Sequence, residues 1–139
     1  MPARYLLDTN ICIYIRRQRP AEVLARFKRL KPGEAVLSVI TYGELLYGAE
    51  KSRERDQALE LLREFTEFVP VVPMPAEAAL AYGSIRAALE AKGAVIGNND
   101  LWIAAHAKSA ELTVVTNNER EFARVPGLKL QNWARTGAI

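Results

Sequence analysis

The sequence predicts an α/β fold, a three-layer α/β/α sandwich with a central, mostly parallel sheet and helices on both of its faces. Short apolar runs alternate along the chain with longer stretches in which apolar residues recur at helical spacing. The connections between the short runs are long enough for the right-handed crossovers that parallel strands require. Because no linker, repeat or low-complexity stretch interrupts the 139 residues, we expect a single domain over residues 1–139.

In the first half of the chain, two short strands each lead into a helix. Thr9 and Thr41 are placed to cap the helices that follow the first and second strands. Prolines within "VPVVPM" indicate that the third strand lies at an edge of the sheet or that the strand ends there. The predicted elements in order are a strand over 4–7, helices over 9–18 and 21–30, a strand over 35–40, helices over 42–52 and 53–68, and a short strand over 69–74.

The second half of the chain is predicted from similar signals. Pro75 is a favourable first-turn residue for a long helix, and Gly93 ends that helix. The stretch "AVIGNND" lacks periodicity and is predicted as a loop. The elements in order are a helix over 76–92, a loop over 94–100, a helix over 101–110, a strand over 112–116, a helical turn over 118–125 and a strand over 128–133.

Composition excludes several classes of protein. Charged residues interrupt every apolar stretch before the length of a spanning helix, and the apolar run before Asp8 is too short for a signal peptide, so we expect a cytoplasmic protein without membrane contact. The single Cys12 cannot form an internal disulfide and is expected to be a small buried residue. One cysteine and one histidine are too few for a zinc site, and His106 is interpreted as a structural or surface residue.

The charge balance is mildly basic, with 19 Lys plus Arg against 16 Asp plus Glu. Many of the basic residues occur in the first third of the chain. They form either a solvated helix face or a surface for the backbone of a nucleic acid, and composition does not distinguish the two. These residues are Arg16, Arg17, Arg19, Arg26, Lys28, Arg29 and Lys31.

Four acidic residues follow predicted strand ends or begin a helix at the same edge of the sheet. Asp8 ends the first strand, and Glu44 lies in the first turn of the helix after the second strand. Glu121 follows the strand over 112–116, and Asp100 stands at the head of the helix over 101–110. Because the carboxyl ends of parallel strands form the crevice in which ligands bind, we expect these carboxylates to meet there.

Each of these acids also has an ordinary structural explanation. A carboxylate can cap a helix, interact with the positive end of a helix dipole, or pair with an arginine on the surface. The alternatives are capping by Asp8, a helix-dipole interaction of Glu44, capping by Asp100, and ion pairing of Glu121 with Arg120 or Arg124.

Convergence of the acids favours a metal site over four separate structural roles. Clustered carboxylates raise one another's pKa unless a cation neutralises them, and Mg²⁺ or Mn²⁺ prefers oxygen ligands. A cation held at an open rim activates water for attack on a phosphodiester. The sequence has no G-x-S-x-G elbow and no phosphate-binding GK[ST] loop that would indicate another chemistry.

Four stretches resemble PIN-domain ribonucleases, and specifically the VapC-type toxins of bacterial toxin–antitoxin pairs. The stretches are "YLLDTN", "SVITYGELLYGA", "IGNNDLWIAAHA" and "LTVVTNNEREFARVPGLKLQNW". The resemblance implies a Mg²⁺- or Mn²⁺-dependent endoribonuclease that forms a homodimer. It also implies a cognate VapB-type antitoxin that covers the acidic pocket and through which alone the pair contacts its operator DNA.

The resemblance also implies roles for individual residues. Asp8, Glu44 and Asp100 match the acidic triad that holds the metal. Glu121 matches a fourth acidic position at which many relatives have Asp. Supporting polar residues are Thr9, beside Asp8, and Thr116 and Asn118, which match polar positions near Glu121 and could instead cap the short helical turn.

The hypothesis that follows is hydrolysis of RNA phosphodiester bonds by a metal-activated water, with Asp8 and Asp100 holding the metal directly. Glu44 would complete the site, and Glu121 would assist or recruit a second ion. Two alternatives remain open at the level of sequence. The chain could be a non-catalytic dimeric regulator that binds RNA or protein, because an arginine can pair with clustered carboxylates, or it could be a structure-specific DNA nuclease.

Overall fold

The computed structural model describes residues 2–134, so residue 1 and residues 135–139 of the predicted domain lie outside the described part. Strands and helices alternate as the sequence predicts, with several boundaries displaced. The elements in chain order are β1 (Tyr5–Leu7), α1 (Thr9–Arg17), α2 (Ala21–Lys28), β2 (Ala35–Val36), α3 (Val39–Glu50), α4 (Arg55–Phe68), α5 (Glu77–Ala91), α6 (Asn98–Ala110), β3 (Thr113–Val115), α7 (Glu119–Phe122) and β4 (Leu130–Gln131).

The four strands form one sheet in the order β2-β1-β3-β4, and every neighbouring pair is parallel. β1 lies in the interior of the sheet, where Leu6 pairs with Val36 on one side and with Val114 on the other. The predicted parallel sheet is therefore confirmed. All four strands end at the same edge, which is where the acidic residues are expected.

Side chains alternate between two cores, one on each face of the sheet. Leu6 and Val114 pack with buried residues of α5 and α6, whereas Leu7 and Val115 pack with buried residues of α1, α2 and α4. A strand buried on both faces reads as a continuous apolar run, which explains why "YLL" and "TVV" show no polar alternation. The prediction of helices on both faces is confirmed.

The predicted strand over 35–40 is wrong in its second half. Only Ala35–Val36 belongs to the ladder, and α3 already begins at Val39. Ser38 is the cap, since its Oγ accepts a hydrogen bond from the Thr41 backbone N–H at 3.0 Å. The prediction that Thr41 caps this helix is therefore wrong. The β-branched pair after Ser38 resembles strand sequence, but the capping serine takes precedence.

The predicted edge strand over 69–74 is reduced to a single parallel bridge between Leu37 and Val71. The Leu37 backbone N–H donates to Pro70 O at 2.9 Å, and the Val72 N–H donates to Leu37 O at 3.0 Å. Pro70 and Pro73 flank this bridge and have no N–H to extend a ladder. The predicted edge position is confirmed, but a full strand is not formed.

The predicted loop over 94–100 ends earlier than expected, because α6 begins at Asn98. Three other predictions concern composition. Cys12 is fully buried, as predicted, and His106 is buried at 1% exposure, which makes it a structural rather than a surface residue. Among residues 2–134, no helix combines the length and apolar character needed to cross a bilayer.

Candidate active site

Asp8 and Thr116 occupy neighbouring positions at the carboxyl edge of the sheet. Leu7 pairs with Val115, so the residues that follow β1 and β3 lie side by side. Thr116 Oγ1 donates a hydrogen bond to Asp8 Oδ2, and the Ile11 backbone N–H donates to Asp8 Oδ1 at 3.0 Å. Asp8 therefore does cap α1, as the ordinary explanation requires, while its second oxygen is held at the sheet edge.

Thr9 and Glu44 form the next contact at this edge. Thr9 is the first residue of α1, not its cap, so the predicted capping by Thr9 is wrong. Its hydroxyl instead donates to Glu44 Oε1 at 2.6 Å. Since α3 begins at Val39, Glu44 lies in the second turn, not in the first turn as predicted. A helix-dipole role is correspondingly weak, because that effect falls off within the first turn.

Asp100 is the third residue of α6, and it does not cap that helix. Gly97 occupies the cap position, and no side chain caps the first turn. An aromatic contact holds the start of the helix, since the Tyr82 hydroxyl donates to Asn98 Oδ1 at 2.6 Å and the Tyr82 ring stacks on Trp102 at 3.9 Å. Within residues 2–134, no group donates a hydrogen bond to the half-buried Asp100 carboxylate.

Glu121 is held by Asn118, whose side-chain N–H donates to Glu121 Oε2. Asn118 occupies the cap position of α7, but its side chain makes no capping hydrogen bond. Its backbone N–H donates to Thr116 Oγ1 at 2.8 Å. The predicted alternative of an ion pair is not formed in the described part of the chain, where Arg124 donates to Val95 O.

The electrostatics show that the four acids share one region of space. The pKa of Asp100 is raised to about 6, chiefly by burial and then by the charges of Glu121, Asp8 and Glu44, in that order of importance. Burial also raises the pKa of Asp8, and Glu44 adds to this effect, while the hydrogen bonds from Thr116 and Ile11 oppose it. Residues distant in sequence therefore form one acidic rim, which we define as Asp8, Glu44, Asp100 and Glu121.

The acidic rim offers oxygen atoms only. Among residues 2–134, no three carboxylate, histidine or cysteine side chains form a group that could hold a metal ion by themselves. This arrangement still suits Mg²⁺ or Mn²⁺, because Mg²⁺ is usually bound through one or two carboxylates, and water and substrate phosphates supply its other ligands. It does not suit zinc, which requires nitrogen or sulfur ligands, since His106 is buried elsewhere in α6.

Comparison with known proteins agrees with this geometry. The PIN domain family matches residues 5–128. A ribonuclease VapC of Haemophilus influenzae is 42% identical over 130 residues, covering 94% of this chain and 98% of that protein. The tRNA(fMet)-specific endonuclease VapC of Shigella flexneri is 43% identical over 131 residues, again covering 94% and 98%. The chain belongs to the VapC ribonuclease family of PIN-domain proteins.

Solved structures of VapC-family complexes share the fold. VapBC-1 from nontypeable Haemophilus influenzae superposes with a TM-score of 0.87 at 40% identity, covering 97% of this chain and 100% of that chain. VapBC2 from Rickettsia felis, bound to a DNA fragment from its promoter, gives a TM-score of 0.85 at 39% identity, covering 96% and 99%. The predicted family and its three-layer fold are thus confirmed.

In this VapC-family chain, three polar residues next to Thr116 form hydrogen bonds that were not predicted: Asn117, Tyr14 and Asn132. Asn117 Nδ2 donates to the Tyr14 hydroxyl at 3.0 Å, and Asn132 Nδ2 contacts Asn117 Oδ1 at 3.4 Å. Asn117 follows Thr116 directly, so its position just after β3 could have indicated that it lies at the carboxyl edge of the sheet. The position of Tyr14 on α1 does not reveal this contact, because helical spacing does not show where a hydroxyl points.

The predicted basic cluster is divided between different surroundings. Arg26 donates to Gln131 Oε1 at 2.9 Å and lies over the Trp133 ring, so it packs against β4. Arg17 and Arg19 are exposed, and neither side chain has a hydrogen bond or ion pair within residues 2–134. Only part of the cluster is therefore free to contact a nucleic acid.

Proposed function

We propose that this chain is a metal-dependent endoribonuclease that hydrolyses RNA phosphodiester bonds, and that it is the toxin of a toxin–antitoxin pair. The observation that supports the chemistry is the acidic rim, in which burial and three neighbouring charges raise the pKa of Asp100 to about 6. Such a cluster is costly unless a cation neutralises it. The names of the VapC relatives support RNA as the substrate.

The proposed ligands for Mg²⁺, or Mn²⁺, are Asp8 and Asp100. Glu44 completes the site, and Glu121 assists or recruits a second ion. A bound divalent cation supplies activation of water and neutralisation of charge at the phosphate. Asp100 is the best suited of the four, because no hydrogen-bond donor among residues 2–134 occupies either of its oxygens.

The surrounding hydrogen bonds give each of the other carboxylates a fixed orientation. Thr116 and the Ile11 N–H hold both oxygens of Asp8. Thr9 holds Glu44, and Asn118 holds Glu121. Groups that orient metal ligands typically change metal affinity or activity 10- to 100-fold when removed. We therefore assign Thr9, Thr116 and Asn118 as positioning residues.

The relatives also indicate the substrate and partner to test first. Transfer RNA is the first choice of substrate, because the Shigella flexneri relative is a tRNA(fMet)-specific endonuclease. A VapB-type antitoxin is the proposed partner, and contact with operator DNA would occur through that antitoxin. The Rickettsia felis VapBC2 complex, which is bound to a DNA fragment from its promoter, supports testing operator DNA. We also propose a cytoplasmic location and a homodimer. Two apolar side chains, Tyr47 and Leu80, are 65% and 78% exposed and are available for contact between two copies.

The decisive experiment incubates antitoxin-free protein with tRNA, total RNA and single-stranded DNA, in Mg²⁺, in Mn²⁺ and in excess EDTA. We expect RNA cleavage in either metal, none in EDTA, and none on DNA. Asp8→Asn and Asp100→Asn should each reduce cleavage at least about 100-fold, since the cation contributes several kcal/mol to the transition state.

The matched control is Asp56→Asn, which makes the same chemical change at a side chain that is 98% exposed on α4. It should cleave RNA as the wild type does, and circular dichroism should show that all three variants are folded. Cleavage that persists in EDTA, or in a folded Asp100→Asn protein, would refute the metal mechanism. RNA binding without any cleavage by the wild type would favour the non-catalytic regulator, and cleavage of DNA alone would favour the DNA nuclease.

A further inference from the structure

A cavity opens where α1 gives way to α2. Its volume is about 310 Å³, within the lower range of small-molecule sites in proteins. An aromatic ring, two guanidinium groups and two small apolar surfaces form its walls. The lining residues, which we call the Tyr14 pocket, are Tyr14, Arg17, Arg19, Pro20 and Ala134.

Two hydrogen bonds, made by neighbouring residues of the chain, connect the Tyr14 pocket with the acidic rim. The Tyr14 hydroxyl accepts from Asn117, and Asn117 follows Thr116, whose hydroxyl donates to Asp8. Along α1, Tyr14 lies six residues after Asp8, a rise of roughly 9 Å at 1.5 Å per residue. A polymer bound at the rim therefore passes close to the pocket. The hydrogen bond from Asn117 also holds the Tyr14 ring in one orientation.

The charge of the Tyr14 pocket favours an anion. The side chains of Arg17 and Arg19 have no acceptor among residues 2–134, in contrast to Arg55 and Arg63, which are paired with glutamates. Among residues 2–134, no acidic side chain lines the cavity. An aromatic wall with two free guanidinium groups is the combination that binds single-stranded nucleic acid, because bases stack on rings while phosphates contact arginines.

We propose that the Tyr14 pocket binds one nucleotide of single-stranded RNA adjacent to the position of cleavage, with its base against the Tyr14 ring and neighbouring phosphates on Arg17 and Arg19. This proposal rests on the proposed ribonuclease function and adds a substrate site to it. The pocket contributes to binding, and the acidic rim carries out the chemistry. Removing the pocket should therefore raise KM for RNA and leave kcat nearly unchanged.

The first test measures binding of a fluorescein-labelled, 12-nucleotide single-stranded RNA of mixed sequence to the inactive Asp8→Asn protein. Adding Tyr14→Leu to this protein should raise Kd about 10-fold, because loss of stacking on one aromatic ring has roughly this effect. Adding Tyr14→Phe, which keeps the ring and loses the hydroxyl, should change Kd much less. Equal affinity of the Leu and Phe variants would overturn the stacking role.

The second test replaces the exposed Arg17 and Arg19, and circular dichroism checks that the variants are folded. In the Asp8→Asn protein, Arg17→Gln with Arg19→Gln should reduce the slope of log Kobs against log salt concentration by about 1.4, since each phosphate contact with a single strand contributes about 0.7. The charge-matched control is Arg53→Gln with Lys92→Gln, exposed residues outside the pocket. Equal slopes for the two double variants would overturn the phosphate role.

Kinetics in the otherwise wild-type protein separate failure of this inference from failure of the proposed function. If the wild type does not cleave RNA in Mg²⁺ or Mn²⁺, the ribonuclease proposal fails, and the binding tests still decide the pocket. If the wild type cleaves RNA and the Arg17→Gln, Arg19→Gln variant has the KM of the Arg53→Gln, Lys92→Gln control, the pocket alone fails. A KM raised in the pocket variant and unchanged in the control supports the inference.

Discussion

Acidic side chains have two kinds of surroundings in this molecule. On α3 and α4, Glu50 and Glu60 accept hydrogen bonds from Arg55 and Arg63, and these bonds lower the pKa of both carboxyl groups. At the acidic rim, Asp8 and Asp100 have no ion pair within residues 2–134, and burial raises the pKa of Asp100 and of Asp8. The ionised form of a carboxyl group is therefore stabilised on α3 and α4 and destabilised at the acidic rim.

This difference indicates what the acidic rim is for. The chain has more basic than acidic residues, yet no Lys or Arg among residues 2–134 forms an ion pair with the rim. Hydrogen bonds from Thr116, Thr9 and Asn118 hold the carboxylates in place without neutralising them. An unneutralised, oriented set of oxygen atoms is the arrangement that the proposed cation site requires, whereas a glutamate paired with an arginine is already neutralised.

The largest expected effect is on RNA cleavage, and it comes from removing the hydroxyl of Thr116, which donates a hydrogen bond to Asp8. Thr116→Val replaces a fully buried hydroxyl with a methyl group of similar size and leaves Asp8 Oδ2 without its partner. We expect RNA cleavage at limiting Mg²⁺ to fall about 10- to 100-fold, the usual effect of losing a group that orients a metal ligand. The assay measures the rate of cleavage as a function of Mg²⁺ concentration.

Thr116→Ser is the conservative counterpart and should keep most of the activity, because it retains the hydroxyl. Thr66→Val on α4 is the matched control, since its hydroxyl donates only to the Arg63 backbone O. A Thr116→Val protein that is folded and has the Mg²⁺ dependence of the wild type would show that Asp8 needs no positioning.

The fold was largely predictable because its strongest signals are local and repeated. The strand ending at Asp8 was identified since β1 is buried on both faces and reads as an unbroken apolar run. The error at α3 has the opposite cause. Val39 and Ile40 have strand propensity, and the competing signal, a serine cap at position 38, occupies a single residue. Such errors displace element ends and preserve their order.

The acidic rim was predictable as a set of residues, and its hydrogen bonds were not. Parallel strands bring their carboxyl ends together, so Asp8 and the residues after β3 had to be neighbours. The contact of Thr9 with Glu44 depends on the packing of α1 against α3, which no short sequence pattern specifies. The same limit explains why Tyr14 and Asn117 were missed, since their hydrogen bond joins side chains 103 residues apart.

A smaller effect is expected from Asp100 on the stability of the fold, and this effect depends on pH. The pKa of Asp100 is about 6 in the folded protein, against an ordinary value of 3.8. Above pH 6 the folded carboxylate is ionised at a cost, and below about pH 4 both folded and unfolded forms are protonated. The Asp100 contribution to stability therefore improves as pH falls from 7 towards 4, the reverse of a salt-bridged acid.

Asp100→Asn removes this cost, so we expect it to raise the free energy of unfolding at pH 7.5 in EDTA. A rise from 3.8 to about 6 corresponds to roughly 3 kcal/mol, and screening of the half-buried carboxylate reduces the expected gain to about 1 to 2 kcal/mol. Urea unfolding at pH 7.5 and pH 4 measures the effect, which should vanish at pH 4. Added Mg²⁺ should stabilise the wild type more than Asp100→Asn. If Asp100→Asn destabilised the protein at pH 7.5, ionised Asp100 would not carry the cost that its raised pKa indicates.

The smallest effect on the free energy of unfolding is expected on α4, where Glu60 is paired with Arg63. Glu60→Gln removes a carboxylate whose pKa is lowered chiefly by hydrogen bonds from Arg63. Glu60 contributes stability above its ordinary pKa of 4.5, and this contribution disappears as pH falls through the lower folded pKa. Glu60→Gln should therefore slightly destabilise the protein at pH 7.5, opposite in sign to Asp100→Asn.

The effect of Glu60→Gln should also decrease in high salt, because an exposed ion pair is screened. Urea unfolding at pH 7.5, in low and high NaCl, compares the two variants directly. Screening weakens attraction at Glu60 and repulsion between the carboxylates of the acidic rim, so salt should bring both variants closer to the wild type from opposite sides. If both substitutions changed stability in the same direction at low salt, the two surfaces would not differ in the way that the pKa directions indicate.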